Sequence, residues 1–246
     1  MTQVQLKGGH TTTDPRLDRL PEFDERSRRF AVAHRVPDVL GKRPGTKNWT
    51  VNIWLDQGVE GACTGFSRAH ALAATPVPVP GMTDEIARRI YLRARQLDEW
   101  PGEDYEGSSV LAALKAAQEL GYVKMYTWAF TLEEFLLGIT WKGPAVVGCN
   151  WYEGMYEPNS KGFITPTGSI AGGHAILIRG QKIFLGGSGP FGINMDDSYI
   201  VFWNSWGPSW GKEGTAKMTM RDWDKLRLES ADVSFAIDQR PSKVSS

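Results

Sequence analysis

The sequence of 246 residues has only two cysteines, Cys63 and Cys149, and four histidines. Because these potential metal ligands are few and do not cluster in the sequence, a zinc site is disfavoured. No apolar run approaches the roughly 20 residues of a membrane-spanning helix, and the first sixteen residues lack the apolar core of a secretory signal peptide. Basic and acidic residues number 28 each, so no excess charge indicates a nucleic-acid or membrane partner. We expect a cytoplasmic protein, matured in a reducing compartment, that needs no metal or organic cofactor.

The order of sequence patterns predicts an α+β fold with two lobes. Residues 1–48 are polar and proline-bearing, and we interpret them as an extended N-terminal arm, with an inhibitory pro-segment as the alternative. Helical patterns dominate 49–140, whereas short β-type runs dominate about 141–240. Segregated helices and strands of this kind predict a cleft between two lobes as the functional site. Residues 241–246 are read as a tail.

Apolar periodicity and capping residues predict four helices. They cover 65–74, 83–97 with Thr83 as N-cap, 109–120, and 131–139. Four later runs have strand character: PAVVGCNW, GHAILIRG, YIVFWNSW and TAKMTM. Glycine, proline and asparagine clusters separate these runs, which is typical of a β-rich half.

The stretch DQGVEGACTGF, residues 56–66, is the centre of the functional hypothesis. Cys63 precedes an alanine-rich helical segment, and a helix N-terminus favours the thiolate form of a cysteine. Gln57 lies six residues earlier and carries an amide donor suited to stabilising an oxyanion. The pattern therefore predicts a nucleophilic cysteine that needs a base from elsewhere in the chain.

His174 is the best candidate for that base. His10 and His34 lie in the polar arm, and His70 is interpreted as a packed or surface histidine further along the Cys63 helix. His174 instead opens an apolar strand behind two glycines. In VFWNSWGPSWG, Asn204 could orient the imidazole while Trp206 shields their hydrogen bond from water.

These motifs, read in order, resemble the papain-like cysteine peptidases. The matching pieces are QGVEGAC, GGHAILIRG and NSWGPSWGKEG, and the likeness spans about 57–214. It implies a papain-like two-lobed fold, with a helical lobe, a β-barrel-like lobe and the active site between them. It further implies Cys63 as nucleophile, His174 as general acid and base, Asn204 as orienting residue, and Gln57 with the Cys63 N–H as oxyanion hole.

Several positions depart from the family pattern, which leaves the specificity open. They are Glu60, Thr64, Trp203 and Thr215. The GACTGF turn and the EGSS loop are closer to compact bacterial and bacteriophage members.

The resemblance also implies where a substrate binds. In the loop DYEGSS, Gly107 and Ser108 are the expected contacts to an extended peptide backbone. A wide pocket for a bulky apolar side chain is expected from four small residues: Gly148, Gly172, Gly173 and Ala175. Cys149 is interpreted as a buried packing thiol, and LGGSGPFG as a flexible hairpin because it lacks the lysine of a phosphate loop.

The sequence thus predicts a cysteine endopeptidase that acts on a peptide or protein substrate through an acyl-thioester intermediate. Two alternatives stay open. One is a phage hydrolase of peptidoglycan peptides, and the other is a non-catalytic papain-like module assembled into a phage particle.

Overall fold

The computed structural model describes residues 4–5, 11–12, 14–21, 25–35, 37–39, 41–98 and 107–239. His10, residues 99–106 of the loop before α4 and the tail at 241–246 lie outside these residues. No helix within the described ranges combines the length and apolar character needed to cross a bilayer.

Six α-helices are present in the described chain, and the four predicted ones are among them. Their bounds are α1 Val32–Arg35, α2 Cys63–Ala73, α3 Asp84–Leu97, α4 Val110–Glu119, α5 Leu132–Trp141 and α6 Met220–Ser230. The Thr83 hydroxyl accepts a hydrogen bond from the Ile86 N–H at 3.3 Å, which confirms the predicted N-cap. Ser109 caps α4 and Thr131 caps α5 in the same way.

Eleven strands are described, and seven of them form one antiparallel sheet. The strands are β1 Val4–Gln5, β2 Thr11–Thr12, β3 Arg19–Leu20, β4 Lys47–Asn48, β5 Ser108–Ser109, β6 Val123–Trp128, β7 Ala145–Tyr152, β8 Ile170–Lys182, β9 Tyr199–Trp203, β10 Thr215–Thr219 and β11 Asp232–Gln239. The large sheet has the order β10-β9-β8-β7-β11-β6, and β4 pairs with β8. The four predicted strand runs correspond to β7, β8, β9 and β10.

The large sheet does not close into the barrel that we expected. Within the described residues, β10 and β6 remain its two edges. Single bridges from Ala31 to Trp128 on β6 and from Phe163 to Lys217 on β10 cover these edges. Because other segments satisfy part of each edge, the strands do not need to pair with one another.

Three elements of the sheet region escaped the sequence prediction: α6, β6 and β11. Helix α6 buries Met220, Trp223 and Leu226, whose spacing of three is a helical signal inside a half assigned to strands. Strand β6 comes from the helical half and pairs with β11, so the sheet crosses the predicted boundary between lobes.

Three apolar clusters organise the interior. The largest combines the sheet with α5 and α6, and the second joins α2, α3 and α4. The third contains Cys63 from α2, Leu114 from α4, and Val146 and Ala175 from β7 and β8. The start of α2 therefore lies against the middle of the sheet.

The described part of the N-terminal arm is partly buried. Leu17, Asp18, Arg19 and Leu20 are at most 3% exposed. Strand β3 pairs in parallel with β5, and Asp18 forms a parallel bridge with Gly173 of β8. These contacts hold the arm between the helices and the sheet.

Candidate active site

Cys63 is the first residue of α2, as the sequence predicts, and it is completely buried. The arm contributes to this burial, because the backbone of Asp18 contacts the sulfur. Burial raises the pKa of the thiol to about 12, although hydrogen bonds from the backbone of Ala175 and Asp18 act in the opposite direction. Removal from water therefore outweighs the effect of the helix N-terminus. In this structure Cys63 is a neutral thiol, whereas we expected conditions that favour the thiolate.

His174 lies in β8 and is hydrogen-bonded to Asn204, with 2.8 Å between Nε2 and Oδ1. The same Asn204 oxygen accepts the backbone N–H of Ser205 at 2.8 Å. The Ser205 contact identifies this Asn204 atom as the amide oxygen, which can only accept hydrogen bonds. His174 Nε2 is therefore the donor and carries the proton. The other ring nitrogen, Nδ1, is left as the basic position. No described residue has hydrogen-bonding geometry to Nδ1, but the nearby backbone of Arg16 acts to raise the pKa of His174.

Burial also holds the imidazole in its neutral form. It lowers the pKa of His174 to about 4, and the Asn204 hydrogen bond only partly offsets this. Neutral imidazole and neutral thiol are thus the stable forms in the closed cleft.

Two tryptophans enclose the histidine. The Trp206 ring lies 5.0 Å from the His174 ring between centroids, which agrees with the predicted shielding of the hydrogen bond to Asn204. Trp151 of β7 presents a second ring at 4.8 Å, edge to face. Trp151 lies on the strand next to His174, a neighbour that sequence spacing does not identify.

Gln57 is bound to both halves of the site. Its backbone N–H donates to the Ser205 carbonyl at 2.9 Å, next to Asn204. Its side-chain Nε2 donates to the Glu60 carbonyl at 2.8 Å and to the Arg16 carbonyl of the arm at 3.2 Å. The amide donor predicted for an oxyanion is therefore present and faces a backbone carbonyl.

Backbone contacts bring the four predicted residues into one region. The Cys63 sulfur meets the backbone of Ala175, the residue after His174. The loop before Cys63 is joined to the turn after Asn204 by an antiparallel bridge between Asp56 and Trp206.

The arm lies along the residues expected to bind a substrate backbone. Arg19 pairs with Ser108, one residue after the buried Gly107. A side chain at Gly173 would collide with the Arg19 carbonyl. At the other end, the Arg16 guanidinium lies over the Trp206 ring, 4.1 Å from its centroid. Both walls of the predicted cleft are therefore occupied by the protein's own chain.

The pocket beside Gly148, in which we expect a substrate side chain, holds an arginine of the arm. A side chain at Gly148 would collide with Arg19 Nε. The Arg19 guanidinium forms an ion pair with Asp232 of β11. Asp232 was missed because β11 was not predicted. The motif DPRLDRL contains the arginine, but nothing in it indicates a buried partner.

Cys149 and His70 are buried outside this constellation. Cys149 faces the core cluster of the sheet, as predicted for a packing thiol. His70 accepts the Leu55 N–H at Nε2, at 3.1 Å. Burial lowers the pKa of His70 to about 3, so this histidine is structural and neutral.

His70 should make the protein less stable in mild acid. The His70 side chain binds a proton below about pH 6.5 in the unfolded chain, but only near pH 3 in the folded chain. Its contribution to the free energy of unfolding is therefore fully present above about pH 6.5 and is lost as the pH falls toward 3. Between pH 7 and 5 the loss should be about 2 kcal/mol. In His70→Gln, whose amide oxygen can still accept the Leu55 N–H, urea unfolding should show a pH-dependent loss smaller by that amount. Equal losses in the two proteins would contradict the assignment.

Comparison with solved structures identifies the fold. The structure matches xylellain, a cysteine protease from Xylella fastidiosa, with a TM-score of 0.64 at 16% identity, covering 93% of this chain and 98% of that one. The chain has the papain-like fold. It also matches procathepsin B S9 from Trypanosoma congolense, with a TM-score of 0.59 at 12% identity and coverage of 96% and 92%. Procathepsin L 3 of Tenebrio molitor matches with a TM-score of 0.54 at 14% identity, covering 92% and 74%.

The comparison of structures finds matches where the two sequence comparisons find none. No protein-family model matches the sequence, and no curated protein matches it in a sequence search. At identities of 12–16%, the structural matches establish the fold but not the reaction.

Proposed function

We propose that the protein is a cysteine peptidase whose described structure is a latent form, closed by its own arm. The observation that carries the proposal is the orientation of His174. Its Nε2 is fixed by Asn204 at 2.8 Å, which leaves Nδ1 as a base on a strand that meets the Cys63 sulfur. A nucleophile, a base and an orienting amide are the components of thiol-dependent acyl transfer.

Each residue has a defined step in this reaction. His174 Nδ1 takes the proton of the Cys63 thiol, and the thiolate attacks the carbonyl carbon of a peptide bond. Gln57 Nε2 and the Cys63 N–H donate to the resulting oxyanion. The protonated His174 then gives its proton to the leaving amine, so that a thioester forms. Water, deprotonated by His174, hydrolyses this thioester and restores the thiol.

The arm prevents this reaction first by burial. It excludes water and substrate from Cys63, which is 0% exposed, and this burial favours the neutral thiol. It also places the backbone N–H of Asp18 at the sulfur, while the Arg16 carbonyl is held by Gln57. Because the sulfur meets an N–H rather than a carbonyl carbon, the bound arm is a poor substrate.

Labelling with an epoxysuccinyl peptide, a reagent that alkylates activated catalytic thiols, tests the proposal. We expect one adduct per chain on Cys63 once the arm is released by mild acid or by a partner protease. Cys63→Ala should take no label, whereas Cys149→Ala should label like the wild type because Cys149 is buried in the core. Absence of any adduct in the released protein would leave the non-catalytic module as the better reading.

The class of substrate is decided by a parallel digestion. Casein peptides should be hydrolysed by the unlabelled wild type after release of the arm, and not by Cys63→Ala. Release of peptides from purified peptidoglycan, with no action on casein, would instead identify the cell-wall hydrolase.

A further inference from the structure

A groove on the sheet lies outside the candidate active site and has a volume of about 760 Å³. Side chains of β8, β9 and β10 form its floor, and the segments 50–54, 158–162 and 211–213 form its walls. Residues of β9 alternate between this groove and the core cluster of the sheet. The volume lies within the range of about 300–1,000 Å³ that is typical of ligand sites.

Four cationic side chains line the groove: Lys161, Arg179, Lys212 and Lys217. None of them forms an ion pair with an acid in the described part of the chain. Glu213 is the single acid among the described lining residues. Basic and acidic residues balance at 28 each in the whole sequence, so this excess of positive charge is a local feature of the groove.

A β-bulge places Arg179 in the groove. The register of β8 against β9 shifts between Ile178 and Gly180, which leaves Arg179 as the extra residue, and a bulge redirects the side chain at such a position. The Arg179 guanidinium lies over the Trp203 ring, 5.0 Å from its centroid. Partial burial lowers the pKa of Arg179, and no described acid offsets this effect. The guanidinium is therefore half-buried with its charge unneutralised.

Lys217 of β10 is also held by aromatic rings. Its Nζ lies 5.2 Å from the centroid of the Phe163 ring and 5.5 Å from that of the Tyr199 ring. One of its three N–H groups donates to the Lys161 carbonyl at 3.2 Å. A ring face attracts a cation but does not cancel its charge. Arg179 and Lys217 are thus fixed in position and can still bind a carboxylate.

The wall at 50–54 has unpaired backbone groups. Within the described ranges, the backbone of residues 51–54 forms no backbone hydrogen bond. Trp54 is nevertheless held in place, because its Nε1 donates to the Glu213 carbonyl at 3.0 Å and its ring lies 5.4 Å from that of Trp203. Free N–H and C=O groups along such a segment can pair with the backbone of an extended peptide. A polysaccharide or a nucleic acid has no backbone amides for this pairing.

The groove includes two positions at which the sequence departs from the papain-like pattern, Trp203 and Thr215. They are paired across β9 and β10. Trp203 directly precedes Asn204, so the groove begins beside the candidate active site. No described residue of the arm lines it. The groove is therefore accessible while the arm closes the cleft.

We infer that this groove binds an extended acidic peptide segment of a partner protein. Carboxylates of the segment pair with Arg179 and Lys217, and its backbone pairs with residues 51–54. A guanidinium suits this role because it can donate two parallel hydrogen bonds to one carboxylate. The Trp54 side chain is 48% exposed and offers an apolar surface to the neighbouring side chains of the peptide. The inference goes beyond the proposed peptidase function and does not depend on it.

The test measures fluorescence anisotropy of short labelled peptides with the full-length wild-type protein, whose arm stays docked. One peptide alternates Glu with Thr, and two reference peptides carry Gln or Lys in place of Glu. We expect the Kd of the Glu peptide to be at least about 10-fold lower than that of the Gln peptide, and to rise with salt because exposed charges are screened. Arg179→Gln should raise this Kd about five-fold or more.

A charge reversal separates loss of binding from loss of folding. Lys161 and Lys212 are exposed, so replacing both by Glu should leave the fold intact. This variant should lose the Glu peptide and gain the Lys peptide, and an unfolded protein would not acquire that selectivity. Arg221→Gln is the matched control, because it removes one positive charge outside the groove, from a pair with Asp196. It should change the Kd of the Glu peptide less than about two-fold.

Equal Kd values for the Glu and Gln peptides would overturn the inference. Binding of the Glu peptide that Arg179→Gln and the charge reversal leave unchanged, or that Arg221→Gln weakens as much as Arg179→Gln does, would also overturn it. Binding of dextran sulfate or single-stranded DNA without binding of the Glu peptide would identify another class of partner and contradict the inference. None of these measurements involves hydrolysis, so their outcome is independent of the proposed function.

Discussion

Cys63 in full-length Leu17→Asp is expected to react with iodoacetamide at pH 8 about 10²–10³ times faster than in the wild type. Leu17 is 0% exposed in the core cluster of the sheet, so an aspartate there disfavours the docked arm. With the arm docked, a thiol pKa of about 12 leaves about one thiolate in 10⁴ at pH 8. With the arm released, solvent and His174 bring the thiol to its ordinary range or below, where a large fraction ionises.

The rates are measured separately for the two cysteines by mass spectrometry of their peptides. Cys149 is an internal control, because its thiol lies in the core cluster of the sheet and burial raises its pKa to about 12. Leu17→Met, which conserves volume and apolar character, should stay slow at both positions. Acceleration at Cys149 equal to that at Cys63 would indicate general unfolding, and no acceleration at Cys63 would show that the arm does not protect it.

Replacement of His174 by alanine in the Leu17→Asp chain is expected to lower peptide hydrolysis by about 10³-fold or more. The thiol then has no base to take its proton, and the leaving amine has no acid. The apparent pKa of Cys63, followed by alkylation as a function of pH, should rise toward the ordinary value of about 8.5, because the imidazolium that stabilises the thiolate is gone. Asn204→Ala should have a smaller effect, since the base remains but its 2.8 Å hydrogen bond is lost.

His70→Gln is the matched control for this substitution. His70 is also a buried histidine, and it lies on the same helix as Cys63, but it bonds to the Leu55 backbone. It should leave the pH profile of Cys63 alkylation unchanged. If His174→Ala alters neither hydrolysis nor the apparent pKa of Cys63, the role assigned to His174 is wrong.

Local patterns were enough to predict much of the fold. Thr83, Ser109 and Thr131 start helices by accepting a hydrogen bond from the backbone N–H three residues later, so these caps can be predicted from sequence. The same holds for the glycine-bounded β runs. Helix α6 was missed because its apolar spacing lies inside a strand-rich region, and β11 because its partners are distant in sequence.

In the candidate site, too, some features follow from local sequence and others depend on tertiary contacts. Short motifs and residue types predict four site residues: Gln57, Cys63, His174 and Asn204. The structure places His174 Nε2 2.8 Å from Asn204 Oδ1. The ionisation of Cys63 and His174 depends on burial by a segment more than 40 residues away from either, so local patterns give the wrong direction for the thiol. The ion pair between Asp232 and Arg19 also cannot be predicted from local sequence.

Side-chain type and short spacing are local properties of the chain, so they suffice to predict the candidate site residues and the helices that begin at capped positions. The arm in the cleft, the neutral Cys63 thiol and the pairing of Arg19 with Asp232 come from tertiary contacts. These features arise from desolvation and from contacts between residues far apart in the chain, and both depend on the complete packing of the molecule.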